Sequence, residues 1–198
     1  ALGYVTKHLH DAAGQSIEER VPFGDDGLQF TRVQRDYGIL GELLADRREK
    51  TPGINDFVET HRTYDDRFQL HRLTGAEGQI TEQGYDDRGL LVSVKRGVGT
   101  VDEVEETYQY DAESQRTHFT NGRGKTSRTQ FDGYGRVQES IDPLSQRTHL
   151  TYDDVSNVVK SESFDSASTL LSRSTGSFDL RGRSTEARQA LLDGSGGP

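Results

Sequence analysis

The residues best suited to metal chemistry lie near the start of the chain. His8 and His10 are two positions apart, so on a strand both imidazoles would project from one face, and Asp11 follows directly. Imidazole nitrogens and carboxylate oxygens are common zinc ligands. A further ligand is not evident, and a pair of surface histidines is the favoured interpretation. We therefore predict no metal site here.

Adjacent aspartates are the next candidates, because paired carboxylates can act in acid–base catalysis or bind calcium in a loop. The pairs are Asp25-Asp26, Asp65-Asp66, Asp86-Asp87 and Asp153-Asp154. Three of the four follow a tyrosine at the same phase of a repeat, which is what capping of a turn by an aspartate predicts. We interpret them as turn residues. The acidic run 102–106 is predicted to be a solvated insertion, with a binding role as the alternative.

One segment superficially resembles a phosphate-binding loop. Residues 122–127 read GRGKTS, but the position five before Gly124 is Phe119 instead of the required glycine. A strand pattern follows, where a phosphate-binding loop needs a helix. We predict an ordinary turn with an exposed Lys125. No arrangement of Ser, His and Asp, or of Cys and His, supports nucleophilic catalysis. The sequence therefore predicts no enzyme, no catalytic residue, no cofactor-binding residue and no cofactor.

Aromatic side chains recur at a fixed phase and have two interpretations. They are Tyr64, Tyr85, Tyr110, Phe131 and Tyr152. Such rings could bind sugars by stacking. Their constant position relative to the turns instead favours a ladder of aromatic contacts between neighbouring strands. Both interpretations stay open, and the ladder is preferred.

These residues belong to an internal repeat of 21 residues, marked by an aromatic-Asp pair at Asp111, Asp132 and Asp153. Ten residues after the leading Asp comes a second turn signal, Asn121-Gly122 in one copy and Asp142-Pro143 in the next. The segment QRTH follows an aromatic-Asp turn at Gln115 and the Asp-Pro turn at Gln146. Each half-repeat is therefore a turn plus a short strand. Units of this kind cannot bury a face alone and must stack on their neighbours.

The same rhythm extends over most of the chain. The leading aspartates are assigned to positions 11, 36, 65, 86, 111, 132, 153 and 179. Residues 40–50 are rich in helix-forming types but lack a good N-cap, so we predict a strand there. Ser184–Leu192 could be a strand or a short amphipathic helix. The fold predicted is all-β: antiparallel hairpins that add to one continuous, twisted sheet.

Composition limits the function classes. Hydrophobic residues make up 30% of the 198 positions, charged residues 29%, and the net charge is −9. An acidic chain without a basic run argues against a nucleic-acid partner. The chain contains no cysteine and no apolar stretch long enough for a membrane span. We expect one repeat region over residues 1–198, best matched at 64–182, with a flexible tail at 194–198. Because the chain starts at Ala1 and the repeat is open-ended, we expect it to be a piece of a larger protein.

The repeated core resembles the YD repeats of RHS-repeat proteins. The closest matches are YDDRGLL at residues 85–91 and FDGYGRV at 131–137. The family includes bacterial polymorphic toxins, B and C subunits of insecticidal toxin complexes, wall-associated proteins and animal teneurins. Its members form β-strand ribbons that spiral into a hollow shell, which in bacterial toxins encloses a toxic C-terminal segment. The family's self-cleaving segment is not seen here, because Leu144-Ser145 follows Asp142-Pro143, and no autoproteolytic role is carried over.

The resemblance implies a structural function. The chain would be a section of a secreted shell that encapsulates a toxin polypeptide and helps to deliver it. Its partners would be that polypeptide, other shell segments, and components of a secretion system or toxin complex. The alternative is an extracellular repeat module that binds carbohydrate or a receptor, as the wall-associated and teneurin-like members suggest.

Overall fold

A computed structural model describes residues 5–23, 29–52, 54, 56–179 and 181–191. Every regular element in these ranges is a β-strand. The strands are β1 (Lys7–His10), β2 (Ser16–Phe23), β3 (Gln29–Tyr37), β4 (Leu43–Thr51), β5 (Asp56–Tyr64), β6 (Leu70–Thr74), β7 (Ile80–Tyr85), β8 (Leu91–Arg96), β9 (Val104–Tyr110), β10 (Arg116–Thr120), β11 (Thr126–Phe131), β12 (Val137–Ile141), β13 (Arg147–Tyr152), β14 (Val158–Phe164), β15 (Leu170–Phe178) and β16 (Ser184–Leu191).

The chain consists of two compact units, Ala1–Glu105 and Glu106–Pro198. In the first unit, β1 to β8 lie in the sheet in chain order, and the paired strands are antiparallel. In the second, β9 to β16 follow the same rule; β9 itself begins at the last two residues of the first unit. The all-β, antiparallel prediction is confirmed. One continuous repeat region and a spiral shell stay predictions, and the predicted tail at 194–198 lies outside the described residues.

Two ambiguous segments are strands. Residues 40–50, for which a strand was predicted in preference to a helix, overlap β4. Ser184–Leu192, left open between strand and helix, contains β16, which ends at Leu191. One leading position was wrong. The turn between β3 and β4 is led by Gly38 and not by Asp36, which lies within β3 and pairs with Ala45.

Very little of either unit is buried. Among the described residues the buried apolar side chains are Ala45 and Val94, and the buried charged ones are Glu49 and Glu162. No large side chain there is fully buried. Each unit is therefore a sheet with two accessible faces and no thick core. Function must be sought on the two faces and in the turns.

Candidate functional surfaces: turn rows and sheet faces

The aspartate-led turns share one hydrogen-bond pattern. In the turn after Tyr64, the Asp65 N–H donates to the Gln69 carbonyl at 2.9 Å, and the Phe68 N–H donates to the Asp65 carbonyl at 3.1 Å. The Asp65 Oδ1 atom also accepts from the backbone N–H groups of Arg67 and Gln69, at 2.9 and 2.8 Å. The carboxylate thus satisfies two donors that the tight turn leaves without a strand partner.

The fourth position of each such turn has a left-handed backbone. Glycine occupies it at Gly89 and Gly135, with φ of 81° and 78°. Serine occupies it at Ser114 and Ser156, with φ of 66° and 71°. This is the geometry of a type I turn closed by a left-handed residue, a common hairpin connection. The turn residues in the sequence therefore have a direct conformational reason.

A bulge accompanies the aromatic residue. Tyr64 pairs with Leu70, yet its neighbour Thr63 pairs with Arg72, so one residue of β6 is left over. Equivalent shifts occur beside Tyr85, Phe131 and Tyr152. The turn after Thr120, which lacks an aromatic residue, shows no shift. Bulges interrupt the ladder and leave a backbone group in need of another partner.

The next tyrosine along the same edge supplies that partner. The Tyr85 hydroxyl donates to the Leu70 carbonyl at 3.0 Å, and the Tyr152 hydroxyl donates to the Val137 carbonyl at 2.7 Å. Each acceptor belongs to the residue that pairs with the aromatic residue of the preceding turn. The same link joins Tyr64 to Leu43 and Tyr37 to Ser16, at 2.9 and 3.3 Å. The tyrosine of the repeat therefore connects its own turn to the preceding turn of the same edge.

Side chains after the turn make a second set of links. The Gln69 Nε2 atom donates to the Gly89 carbonyl at 2.9 Å, and the Gln15 Nε2 atom donates to the Gly41 carbonyl at 3.3 Å. Arg136 donates to the Asp153 carbonyl at 3.2 Å. We call these turns the linked row; they are led by Asp11, Gly38, Asp65 and Asp86 in the first unit and by Asp111, Asp132, Asp153 and Asp179 in the second.

The other edge behaves differently. Its described turns with the same backbone pattern, which we call the opposite row, are led by Gly75 in the first unit and by Asn121, Asp142 and Asp165 in the second. The longer turn after β8 differs, and its Val98 N–H donates to the Ile80 carbonyl at 3.2 Å.

Each turn of the opposite row has the same backbone hydrogen bonds as the linked row. Where Asn or Asp leads, its side chain also caps the turn, as when the Asp142 Oδ1 atom accepts from the Leu144 N–H at 2.8 Å; in the Gly75 turn the Gln79 Oε1 atom accepts from the Glu77 N–H instead. In the part of the chain that the structure describes, no hydrogen bond joins one of these turns to the next.

The linked row also holds ionised carboxylates. The pKa of Asp132 is lowered from its ordinary 3.8, first by its hydrogen bond with the Arg136 side chain and then by the backbone N–H groups of Arg136 and Tyr134. Asp179 has a lowered pKa chiefly because the Arg183 backbone N–H donates to it. At Asp153 the Asn157 side chain is the largest cause. These hydrogen bonds favour the charged form, as expected for capping carboxylates.

One face of β11 to β15 carries mainly hydroxyl groups, and none of its strand residues is charged; the guanidinium groups of Arg116 and of Arg136, the latter 4.4 Å from the centre of the Tyr152 ring, lie beside it. Directly opposite residues in an antiparallel pair project from the same face, and a single row across five strands reads Thr129, Ser140, Thr148, Ser163 and Ser172. From β11 to β15 the residues placed on this face by register and alternation include Ser127, Thr129, Phe131, Ser140, Thr148, Leu150, Tyr152, Ser161, Ser163, Ser172, Ser174, Gly176 and Phe178. We call it the hydroxyl face.

The reverse side of the same strands is charged. With β16 included, its basic residues are Arg128, Arg147, Lys160, Arg173 and Arg188, and its acidic residues are Glu139, Glu162 and Glu186. Glu162 accepts from Arg173 at 2.8 Å and lies 2.9 Å from the Lys160 ammonium. Hydrogen bonds from Lys160 and then Arg173 lower the pKa of Glu162. This charged face has more basic than acidic groups, although the whole chain is acidic.

The first unit does not segregate charge in this way. The face that carries its turn tyrosines also holds the ion pairs Arg35–Glu19, at 3.2 Å, and Arg62–Asp46. Its other face holds Glu49, whose side chain is buried and accepts from Arg32 at 2.8 Å. Both faces of the first unit are therefore charged.

The structure places the sequence candidates in turns and at exposed strand positions. His8 and His10 are exposed, with ring centroids 6.2 Å apart, and the Asp11 Oδ1 atom caps its turn. Among the described residues no three His, Cys, Asp or Glu side chains cluster as metal ligands. In the tyrosine-led pairs the first Asp caps the turn and the second, Asp66, Asp87 or Asp154, is exposed. Asp25 and Asp26 lie outside the described residues.

The remaining candidates are turn residues. Asn121 caps the segment that resembled a phosphate loop, accepting from the Arg123 and Lys125 N–H groups at 2.9 and 3.1 Å. In the acidic insertion, a Glu103 carboxylate oxygen accepts from the Gly99 N–H at 2.9 Å. The described residues include no helix that could cross a membrane.

The aromatic ladder needs a more specific description than the sequence allowed. The turn aromatics act through tyrosine hydroxyls and backbone carbonyls, while direct ring stacking occurs elsewhere, between Tyr108 and Phe119 at 5.4 Å. Sequence reasoning also missed the hydroxyl face. Serine and threonine at alternate strand positions were the available signal, but only the register shows that they share one side.

Comparison with known proteins gives a fold and little more. No protein-family model matches the sequence, and no curated protein matches it. Among solved structures, the crystal structure of TcdB2-TccC3-TEV matches with a TM-score of 0.61 and 14% identity, over 96% of this chain and 13% of that one. TcdB2-TccC3-Cdc42 matches with a TM-score of 0.58 and 17% identity, over 92% of this chain and 12% of that one.

A Tc holotoxin pore from Photorhabdus luminescens is also similar, with a TM-score of 0.57 and 16% identity, over 92% of this chain. The chain spans only 12% of the length of that relative. At this level of identity the likeness concerns the fold. The antiparallel sheet is therefore of the kind found in segments of toxin-complex chains, in agreement with the RHS/YD resemblance.

Proposed function

We propose that this chain is a section of the wall of an RHS/YD-type shell, which encloses a toxic polypeptide and helps to deliver it. The observation that carries the proposal is the segregation of charge between the two faces of β11 to β15. A wall has two sides with different neighbours, and this sheet has two sides with different chemistry. We assign the hydroxyl face to the interior and the charged face to solvent.

A neutral, hydroxyl-bearing interior suits an enclosed unfolded chain. An unfolded polypeptide exposes both charged and apolar side chains, and a wall that is charged would form ion pairs with them. A broadly apolar wall would bind the chain through hydrophobic contact. Rows of serine and threonine offer water-exchangeable hydrogen bonds and neither of those attractions. Such a surface would enclose the polypeptide without binding it tightly.

The linked row supports the same function mechanically. A sheet with so little buried apolar surface gains little stability from a core. The tyrosine and glutamine links instead connect neighbouring hairpins through backbone carbonyls at the edge. Similar hairpins can therefore be added one after another, which is what a large wall needs.

The comparisons supply context for partners and location. One similar solved structure is TcdB2-TccC3 without its hypervariable C-terminal region, so a toxin-complex chain can carry a variable segment beyond its constant part. We infer by analogy that the partners here are an enclosed toxin segment, other shell segments and toxin-complex or secretion components. The assembly would be secreted, and this section would act structurally and not as an enzyme.

The test uses the native protein that carries this chain. Its intact mass should be several times that of the 198-residue chain, and electron microscopy should show a hollow particle. Limited proteolysis should spare an internal segment until mild denaturant opens the particle. A native product of this chain's own size, without a cavity and without a protected segment, would overturn the proposal.

The alternative, a carbohydrate-binding module, has one observation in its favour. Tyr108 and Phe119 stack with an interplanar angle of 22°, and the Arg116 guanidinium lies 5.8 and 5.6 Å from their ring centres. Aromatic rings beside a polar group are suited to sugar stacking. Glycan-array binding by the native protein that disappears in Phe119→Ala, with the fold retained, would favour this function. Absence of binding would leave the wall section as the better account.

A further inference from the structure

A cavity of about 320 Å³ opens on the charged face of the second unit, beside the Asp142 turn. Its lining includes Arg128, Arg147, Ser145, Ser166 and the apolar side chain of Ile141. The register puts the arginines on one face, because both pair with Ile141, Arg128 from β11 and Arg147 from β13. Two cationic side chains thus flank a single apolar residue.

Arg128 has unused hydrogen-bonding capacity. Within the described ranges it makes no ion pair and no side-chain hydrogen bond, in contrast to most arginines of the faces. A guanidinium has five N–H donors in a fixed fork that matches the oxygens of carboxylate, sulfate or phosphate. An arginine without a protein acceptor beside a cavity is therefore a candidate anion ligand.

Arg147 is held in place but keeps donors available. Its guanidinium carbon lies 5.3 Å from the centre of the Phe164 ring, a cation–π distance. Its nearest carboxylate, Glu139, is 3.9 Å away, too far for a hydrogen bond. The aromatic contact fixes the side chain while leaving its N–H groups able to bind another acceptor.

Hydroxyl groups and the local charge complete the site. Ser145 and Ser166 bring two further donors to the lining. The lining also contains Asp142, whose Oδ1 atom already accepts from the Leu144 and Gln146 N–H groups, both at 2.8 Å. The surrounding face has more basic than acidic residues, so an anion is attracted there despite the acidic chain.

We propose that this cavity binds an oxyanion group, carboxylate, sulfate or phosphate, between Arg128 and Arg147. The group can arrive as a free inorganic ion or as the acidic group of a sugar. Ile141 would contact the non-ionic part of a larger ligand. The proposal does not depend on the enclosing function, because it rests only on the cavity and the two arginines that line it.

The test is calorimetric titration of the native protein with sulfate, phosphate and glucuronate, with ionic strength held constant by chloride. We expect saturable binding of at least one of them, weakened about tenfold or more by Arg128→Gln and by Arg147→Gln. Glucuronate alone would identify an acidic sugar, and sulfate or phosphate alone an inorganic oxyanion. No saturable binding of any of the three overturns the proposal.

Arg123→Gln is the matched control. Arg123 is exposed at a neighbouring turn, does not line the cavity, and its loss changes the net charge by the same amount. Binding should be unchanged in this variant, and an equal loss would show a non-specific charge effect and contradict the site. Arg128→Gln keeps the test valid if Arg147→Gln disturbs the fold, because Arg128 has no ion pair to lose. Unaltered affinity in Arg128→Gln also overturns the proposal.

Discussion

The two rows of turns use the same internal geometry for different purposes. In both, a side-chain oxygen caps the turn and a left-handed residue closes it; the oxygen comes from the leading residue where that is Asp or Asn, as at Asp65 and Asn121. In the linked row, tyrosine hydroxyls and glutamine or arginine side chains reach the next turn as well. In the opposite row the described turns have no such connection. Capping therefore closes each hairpin, and the tyrosine of the repeat connects neighbouring hairpins.

The largest expected effect comes from comparing alanine substitutions of two glycines, one in each row of turns. Gly89 and Gly78 have φ of 81° and 82°, but an added Cβ at Gly89 would lie 3.2 Å from the Gln69 Nε2 atom, and at Gly78 it would meet nothing. Alanine at either site should lose about 1 kcal/mol to the left-handed backbone. Gly89→Ala should lose about 1 kcal/mol more, because the link to Gln69 is disturbed.

Native-state hydrogen exchange of the two variants measures this difference in local opening free energy. The distinction between the rows requires Gly89→Ala to be the more damaging change. Equal losses in Gly89→Ala and Gly78→Ala would mean that the glutamine link contributes nothing.

A smaller effect is expected from a tyrosine hydroxyl. Tyr152→Phe removes the 2.7 Å hydrogen bond to the Val137 carbonyl and leaves the ring in place. We expect a loss of about 1 kcal/mol, the usual net value of such a bond, detected as faster exchange in the hairpins on either side. Tyr134→Phe is the control, because Tyr134 is 86% exposed and its hydroxyl makes no bond within the described chain. Unchanged hydrogen exchange in Tyr152→Phe would mean that the tyrosine hydroxyl does not stabilise the linked row.

The smallest effect is the dependence of the linked row on pH. The pKa values of Asp132 and Asp179 are lowered from the ordinary 3.8. A lowered folded-state pKa gives stability that is complete above the unfolded-state value and is lost as pH falls through the folded-state value. Thermal unfolding should therefore shift to lower temperature below a pH of about 3.8. Asp132→Asn should reduce that shift, and an undiminished shift would contradict the assignment.

The residues that cap the turns could largely be predicted from the sequence, but the contacts between neighbouring strands and turns could not. Aromatic-Asp pairs marked the linked row because an aspartate caps its own turn locally. The error at Asp36 has a related cause. When glycine leads, as at Gly38 and Gly75, the capping oxygen comes from Glu42 or Gln79 at the end of the turn. An added Cβ at either glycine would collide with that side chain.

The faces could not be assigned for a different reason. A bulge beside each aromatic residue shifts the pairing by one position, so strict alternation through a hairpin fails. Ser163 and Thr148 share a face only because the register places them opposite each other. The segregation of charge between the faces of β11 to β15 is thus a tertiary property. The same holds for the juxtaposition of Arg128 and Arg147.

The most direct test of the account asks which face is enclosed. The chain contains no cysteine, so Ser163→Cys on the hydroxyl face and Thr175→Cys on the charged face can be compared at positions of similar, partial burial. In the intact native particle a bulky maleimide should label Thr175→Cys and should reach Ser163→Cys only after the particle is opened. Equal labelling of both variants, or faster labelling of Ser163→Cys, would contradict a wall with its hydroxyl face inside.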